Sequence, residues 1–575
     1  MGTENIKSVY WIWATALLLA LFFFILAAIR PHSYFLSIDE GGKFIFLQSI
    51  LKTGSLSAPI VYPYQKLDPQ TQFVPLFYRI MRDTEIYTWW SPGLVLFSIP
   101  FYWLLGAIGI YILPALAGGI TAGLTGLVTL RLRPRNPWLA VLAVIITGLA
   151  TPIAFYSQMF WEHTLSTAFF MGSLYLLLGT RNPDQRKWAL IAGCLGAMSV
   201  FFRTETLIIL LGFGIVMLIR ERRQAFAFGG GFVLVLLSAM AVNYSITGFP
   251  FTPNLSAVSS GTPLNLVRNN GIKTIAYFLF NFPRMYALEI NNTSMIWGTV
   301  LAAGAIIFPF IKRLKWLAIP CYLGVVAICT TVLFSAVGYR AIHGFLLLAP
   351  HVLFAVWYFT LQESYKNSNL PYLLLAGFLA FMLVFIIKGW SGAGGLQWGP
   401  RYFLPFYPML VIGSLLGIAQ EWQQSSRILR IGLASAYLLA VFVGIGFEVR
   451  GMVSVNRLAS FAQQTSTYMS NFNDKPALIT CDINTLIPEI YWAQPVFSIL
   501  KSDMDAWMEN ASQVGIQDFY RLSFDLCFLN NIDEISRYRL ENPSGIQAEV
   551  CSVREFAAQN PDYCRPLPIP AHTVQ

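Results

Sequence analysis

Long apolar runs separated by short polar stretches fill the first 450 residues of the chain. The first run, from Tyr10 to Ile29, has about the 20 residues that a helix needs to cross a bilayer. It lacks a small-residue cleavage site, so we interpret it as a retained span and not as a signal peptide. The pattern predicts an α-helical polytopic membrane protein with about 13 transmembrane helices.

The basic residues set the orientation of these helices. Clusters such as Arg131 to Arg135 and Arg220 to Arg223 are predicted to be cytoplasmic, which places the N-terminus inside and every second loop outside. Counting the run 93–108 as a span would move the Arg131 cluster outside, so we predict a re-entrant or interfacial helix there. The predicted spans are approximately 9–29, 110–130, 137–156, 164–180, 188–202, 205–220, 225–246, 295–311, 316–337, 343–361, 371–388, 402–420 and 431–448.

Composition supports this class. The 575 residues are 56% hydrophobic and 11% charged, with a mean hydropathy of +0.58, a balance that excludes a soluble protein of this size. The net charge of +10 does not indicate nucleic acid as a partner, because the basic residues stand in ones and twos at span ends. We therefore predict an integral protein of the plasma (inner) membrane, surrounded by membrane lipids.

The hydropathy changes at about residue 450, where polar residues return. We predict a transmembrane domain over residues 1–449, with 30–109 as a first outer loop that carries interfacial helices. Residues 450–575 would form a soluble extracytoplasmic domain. The apolar segments 477–481, 495–500 and 524–528 are typical of strands, and 503–514 has a helical pattern, so a small α/β domain is expected.

Four of the seven cysteines lie in this tail. Cys551 and Cys564 are the favoured disulfide pair, because they close a short loop in an extracytoplasmic domain. Cys481 and Cys527 are favoured as free thiols packed in strands, although a disulfide there stays open. No metal-binding spacing such as CxxC or HExxH occurs in the sequence. No metal site is predicted, and a requirement for a divalent cation is left open.

Asp39 and Glu40 stand about ten residues beyond the first span, where acid-base chemistry on a lipid-linked substrate would take place. They are candidate catalytic residues. The alternative is that they are solvated loop charges or the N-terminal cap of the following helix.

Further polar residues fall in outer loops of the predicted topology. Arginine and lysine side chains at helix ends suit a phosphate that leaves from a membrane-embedded lipid, so these cations are candidate donor-phosphate ligands. A structural ion pair, such as Arg203 with Glu205, is the alternative. The candidate phosphate ligands are Arg401, Arg340, Arg203 and Lys388. The candidate substrate-binding residues are His163, Trp90, Tyr402 and Trp398, with Glu162 as a further catalytic carboxylate.

Four stretches resemble segments of a known family of membrane proteins. They occur in the same order along the chain and on the same predicted side of the membrane as in that family. They are Ser37 to Phe44, Trp90 to Leu94, Tyr156 to Thr164 and Gln397 to Pro405. Over residues 1–450 the chain resembles the GT-C membrane glycosyltransferases, in the group of protein O-mannosyltransferases and lipid A aminoarabinose transferases. It departs from that group in having Trp90-Ser91 in place of the lysine of a Lys-Pro-Pro motif, and a second-loop acid, Glu162, that is followed by His163.

The resemblance implies a GT-C fold, Asp39 as catalytic base and Glu162 as a carboxylate that organises the site. It implies an inverting glycosyltransferase that moves a sugar from a polyprenyl-phosphate donor to a lipid, glycan or protein acceptor on the extracytoplasmic face. The alternative function is a transporter or flippase of a lipid-linked glycan precursor, which would carry charges near the bilayer midplane on broken helices. The acids of this chain stand in loops beyond helix ends, which favours the enzyme.

Overall fold

The chain is mostly helical. The computed structural model describes residues 3–31, 34–35, 37–76, 79–178, 185–251, 279–280, 292–334, 344–360, 370–388, 398–469, 477–479, 488–493, 495–498, 507, 510, 513–514, 518–524, 532–541, 545–552 and 565–566. The helices are α1 Thr3–Ala28, α2 Ile38–Thr53, α3 Gly93–Leu105, α4 Ile112–Leu132, α5 Pro137–Leu149, α6 Ile153–Tyr156, α7 His163–Leu177, α8 Gln185–Phe202, α9 Thr206–Arg220, α10 Arg222–Thr247, α11 Asn292–Ile307, α12 Ala318–Phe334, α13 Phe345–Leu348, α14 Val356–Phe359, α15 Leu370–Lys388, α16 Phe406–Gln424, α17 Arg427–Met469 and α18 Pro488–Ala493. The strands are β1 Arg79–Arg82, β2 Glu85–Thr88, β3 Ala477–Ile479, β4 Val496–Ser498, β5 Asp518–Phe524, β6 Ile532–Glu541, β7 Gly545–Ser552 and β8 Arg565–Pro566.

Within these described ranges, five helical stretches are long and apolar enough to cross a membrane. They are Ile6–Ala28, Gly93–Leu132, Arg222–Thr247, Lys315–Phe334 and Arg427–Arg457. The chain is thus a helical protein with membrane-spanning character, while the count of 13 spans stays a prediction. The second stretch joins the predicted interfacial helix 93–108 to the span that follows it, through a short 3₁₀ turn at Gly106–Tyr111.

The residues divide into two compact units. The first, here the helical unit, contains Met1–Ile29, Phe97–Tyr244 and Gly248–Ser454. The second, here the mixed unit, contains Arg30–Leu96, Ser245–Thr247 and Val455–Gln575. The predicted boundary between a transmembrane domain and a C-terminal domain at residue 450 stays a prediction.

The core of the helical unit begins with α1, α4 and α5. Ile12 and Phe23 of α1, Ala122 of α4, Val144 of α5 and Ala154 of α6 are completely buried together. Helix α4 is rich in small residues, which allow close backbone approach between helices where the apolar lipid leaves no hydrophobic force to bring them together. The chain after α5 passes through α6 to Glu162 and to His163, the first residue of α7.

The mixed unit contains two sheets. β1 and β2 form an antiparallel hairpin, with Arg79 opposite Thr88 and Arg82 opposite Glu85. The second sheet has the strand order β4-β3-β5-β6-β7-β8, with β3 parallel to both of its neighbours and the remaining pairs antiparallel.

The C-terminal predictions have mixed outcomes. β3 and β4 fall within the predicted strands 477–481 and 495–500, whereas the next strand is Asp518–Phe524 and meets the predicted 524–528 at one residue. That strand alternates polar and apolar residues, a pattern that a search for continuous apolar runs misses. The predicted helix 503–514 lies largely outside the described residues, and the α/β class of this region stays a prediction. The cysteine pairing also stays a prediction, because Cys481, Cys527 and Cys564 lie outside the described residues.

Candidate functional site

The first candidate group is the N-terminus of α2 in the mixed unit. The Ser37 hydroxyl accepts a hydrogen bond from the Glu40 amide at 3.4 Å, and a Glu40 carboxylate oxygen accepts one from the Ser37 amide at 3.2 Å. This is a capping box, which satisfies two amides that a helix start leaves without partners. Glu40 is 1% exposed. The helix-cap alternative therefore describes Glu40 well.

Asp39 has a different environment. Its Oδ1 atom accepts a hydrogen bond from the indole nitrogen of Trp90 at 3.1 Å, and the side chain is partly exposed. Trp90 itself is buried and lies directly on Gly42, where an added Cβ would come within 2.1 Å of the ring. A side chain at position 42 would clash with the ring, so Gly42 allows Trp90 to lie against α2 and reach Asp39. The indole thus fixes the orientation of a carboxylate that solvent can still reach.

Lys43 stands one helical turn after Asp39 and is 1% exposed. Residues four apart on a helix share a face. The sequence analysis gave this lysine no role, and its burial beside the candidate base is the signal that marks it. A buried ammonium group requires charged or polar partners.

The second candidate group lies in the helical unit and begins with Arg203, in the turn between α8 and α9. Its Nη1 atom is 2.8 Å from Glu162 Oε1 and its Nη2 atom is 2.6 Å from Glu205 Oε1. Burial lowers the pKa of Arg203, but the two carboxylates outweigh this and hold the pKa above its ordinary value. The arginine is therefore permanently charged and is clamped by two acids from different segments.

Arg401 extends this group through an aromatic ring. The Tyr402 ring centroid is 5.3 Å from Arg401 Cζ and 5.5 Å from Arg203 Cζ, so two guanidinium groups approach one ring. Arg401 Cζ is also 5.8 Å from the Trp161 ring. Arg401 is 9% exposed. A guanidinium group suits phosphate oxygens, so Arg401 stays a candidate phosphate ligand.

The segment that carries Arg401 is fixed by Trp398. The Trp398 ring stacks on Phe155 at 5.3 Å, and its backbone amide donates a hydrogen bond to the Tyr156 hydroxyl at 3.2 Å. Gly399 then adopts φ +71°, a left-handed conformation that favours glycine. The chain reverses there and presents Arg401.

His163 also takes part in packing. Its ring stacks on Tyr156 with the centroids 5.0 Å apart, and it is 3% exposed. Among the residues that the structure describes, no three histidine, cysteine or acidic side chains cluster as metal ligands would. The question of a divalent cation stays open.

The structure thus brings Glu162, His163, Arg203, Arg401, Tyr402 and Trp398 together in the helical unit, and Asp39, Glu40 and Trp90 together in the mixed unit. Two predicted phosphate ligands are not placed. Arg340 and the side chain of Lys388 lie outside the described residues.

No family model and no curated relative matches this chain. It is similar to the crystal structures of ArnT from Cupriavidus metallidurans, in the apo state at 13% identity and a TM-score of 0.45, and bound to undecaprenyl phosphate at 12% identity and a TM-score of 0.46. Each comparison covers 91% of this chain and 94% of that one.

The chain is also similar to the oligosaccharyltransferase AglB from Archaeoglobus fulgidus, in complex with an inhibitory peptide and a dolichol-phosphate. The identity is 13%, the TM-score is 0.43, and 89% of this chain and 69% of that chain are covered. ArnT and AglB are GT-C glycosyltransferases, the group that the sequence resembles. Likenesses at this level do not identify a substrate.

Proposed function

We propose that the chain is an inverting membrane glycosyltransferase that uses a polyprenyl-phosphate-linked sugar. The observation that carries the proposal is the pair of guanidinium groups on the Tyr402 ring. Arg203 pairs with Glu162 and Glu205, and we assign Arg401, whose Cζ atom lies 5.3 Å from the centroid of the same Tyr402 ring, to the donor phosphate. An arginine suits this role because its planar fork binds phosphate oxygens in pairs.

Asp39 supplies the base in this proposal. The acceptor hydroxyl oxygen attacks the anomeric carbon, the carbon–oxygen bond to the phosphate breaks, and the electron pair leaves with the polyprenyl phosphate. The hydroxyl proton passes to Asp39. The Trp90 indole orients the carboxylate through Oδ1, and we assign Oδ2 as the atom that takes the proton. The product is a glycosylated lipid, glycan or protein with inverted configuration.

One experiment tests phosphate binding and sugar transfer separately. The full chain in lipid nanodiscs is titrated with undecaprenyl phosphate as a probe of the phosphate site, and release of polyprenyl phosphate is measured from a panel of lipid-linked sugars. We expect saturable binding of the probe and release from at least one donor. Absence of both would exclude the proposal, and binding accompanied by net lipid translocation without release would favour the transporter.

The proposed orientation has its own test. Ser57, shortly after α2, is exposed and is predicted to be extracytoplasmic. A cysteine at this position, in a chain whose seven native cysteines are replaced, is expected to react with an impermeant maleimide in intact cells. Labelling only after the membrane is broken would reverse the topology. Gly54 is a poorer site, because it ends α2 with φ +67° and a cysteine there would be strained.

A further inference from the structure

Glu448 is a buried carboxyl group on α17 that the proposed reaction does not use. It is 1% exposed and stands at the end of the predicted last span. Burying an ionisable residue inside a membrane helix bundle costs free energy, so such residues usually face polar or charged groups. Sequence analysis missed Glu448, although a lone acid in the apolar stretch Gly446-Phe447-Glu448-Val449 is visible there.

Two N–H groups face the Glu448 carboxyl, the Trp398 indole and the backbone amide of Phe155. Neither contact has the geometry of a regular hydrogen bond, and the carboxyl oxygens have no other hydrogen-bond partner among the described residues. Phe155 lies in the first turn of the four-residue helix α6, where backbone amides lack partners from within the helix. The carboxyl group therefore lies between two segments that do not otherwise share a helix.

Both segments lead directly to the arginine group. From Phe155 the chain continues through Tyr156 to Trp161 and Glu162, which contact Arg401 and Arg203. From Trp398 it continues through the left-handed Gly399 to Arg401.

The packing around Trp398 holds its indole against α17. A Cβ added to Gly451, less than one turn beyond Glu448, would lie 2.7 Å from the Trp398 ring. The same Cβ would lie 3.0 Å from Phe155 Cδ2, and the two rings stack on each other with an interplanar angle of 14°. Helix α17 therefore packs against both rings next to Glu448, which brings the carboxyl group close to the indole N–H.

We propose that Glu448 is a positioning residue that ties the Phe155 segment to the Trp398 segment and so sets where Arg401 stands relative to Glu162 and Arg203. Its part in phosphate binding rests on the proposed function, but its part in joining the two segments does not. The role requires a polar oxygen that faces the two N–H groups, and it does not require a negative charge.

Amide hydrogen exchange of the ligand-free full chain tests the joining role. Glu448→Leu is expected to increase exchange about tenfold in peptides that cover 153–163 and 398–406, the order expected when a buried hydrogen-bonding group is lost. Glu448→Gln keeps an acceptor and is expected to exchange like the wild type. Unchanged exchange in both peptides of Glu448→Leu would overturn the inference. So would a glutamine variant that exchanges as fast as the leucine variant, because the charge would then be what matters.

Titration with undecaprenyl phosphate measures the consequence for the site. Glu448→Leu is expected to bind the probe about tenfold more weakly, and in an Arg401→Ala background to have no further effect. A lower melting temperature with unchanged affinity in the folded protein would mean a purely structural role and would reject the inference. If exchange rises as expected but the wild type does not bind the probe, the joining role stands and the proposed function fails.

Two further variants complete the design. Trp398→Phe keeps an aromatic ring beside Phe155 but removes the indole N–H, so it is expected to act in the same direction even if Glu448→Leu does not fold. Glu421→Gln is the matched control, since Glu421 is 2% exposed on α16 but pairs with Lys315 at 2.9 Å. It is expected to leave exchange in both peptides and probe affinity unchanged.

Discussion

Asp39 in the mixed unit and Arg401 in the helical unit both contact aromatic side chains, yet the contacts differ in kind. Asp39 accepts a directed hydrogen bond from the Trp90 indole edge. Arg401 lies near the faces of Trp161 and Tyr402, at 5.8 and 5.3 Å from their centroids. The Arg401 Nη2 atom also donates a hydrogen bond to the Tyr402 hydroxyl at 3.5 Å. An indole edge donates a hydrogen bond to an anion, whereas a ring face attracts a cation through its electron density.

This difference suits two chemical tasks. A general base needs one fixed oxygen and one that can receive a proton. A phosphate ligand binds through the planar fork of a guanidinium group, which Arg401 carries. The neighbouring acids follow the same division, because Glu40 is engaged in a helix cap while Glu162 and Glu205 neutralise Arg203. A substitution in one region is therefore expected to leave the role of the other region intact.

Asp39→Asn is expected to have the largest effect. The amide oxygen can still accept the Trp90 hydrogen bond, so folding should be preserved, while transfer falls by about two or more orders of magnitude because the base is lost. Affinity for undecaprenyl phosphate should be unchanged. The measurement is sugar transfer and probe binding on one preparation. Near-normal turnover in this variant, with loss in Glu40→Gln, would move the base by one residue.

Arg401→Ala is expected to weaken phosphate binding by the helical unit. Probe affinity is expected to fall by about ten- to a hundredfold, the order for a charge-assisted hydrogen-bonded pair. Arg401→Lys should remain impaired, because a point charge cannot reproduce the bidentate fork. Thermal unfolding of the same samples provides the control. A reduced melting temperature with unaltered probe affinity would identify Arg401 as a structural residue.

These two regions differ in how much of them sequence reasoning could anticipate. Arg203 and Glu205 are two residues apart, and their pairing was an open alternative from the sequence alone. The spacing of Ser37 and Glu40 also fits a capping box, which explains why Glu40 differs from its neighbour. Local geometry of this kind depends on a few consecutive residues, so it can be predicted.

The long-range contacts could not be anticipated in the same way. Arg203 and Glu162 are 41 residues apart, and Trp398 and Tyr156 are 242 apart. A helix pattern fixes which residues share a face but not which helix packs against it. The close fit of Trp90 on Gly42 likewise depends on a hairpin whose position the hydropathy pattern does not specify. The membrane class could therefore be predicted from the sequence, whereas the contact partners within each site could not.

Trp90→Phe tests whether the Trp90 indole orients Asp39 as the catalytic base. The smaller ring removes the indole N–H and also loses contact with Gly42, which the Cη2, Cζ3 and Cζ2 atoms of the indole make. Turnover is expected to fall by about tenfold, the order for a hydrogen bond to a charged group, with probe affinity unchanged. Loss of probe affinity would instead show that Trp90 contributes to donor binding. Steady-state kinetics and probe titration distinguish the two.

Glu40→Gln should have the smallest effect. Glutamine also fits the third position of a capping box, so the reciprocal bond with the Ser37 amide can persist. The variant loses the favourable interaction of a carboxylate with the helix N-terminus, about 0.5 kcal/mol, and turnover should stay within about threefold. Ser37→Ala is the matched control, because it removes the other half of the same box and should cost about 1 kcal/mol. Chemical unfolding of both variants, beside their turnover, measures the two contributions. If Glu40→Gln lost far more turnover than Ser37→Ala while unfolding like the wild type, Glu40 would act in the chemistry and the division between a capping acid and a catalytic acid would be wrong.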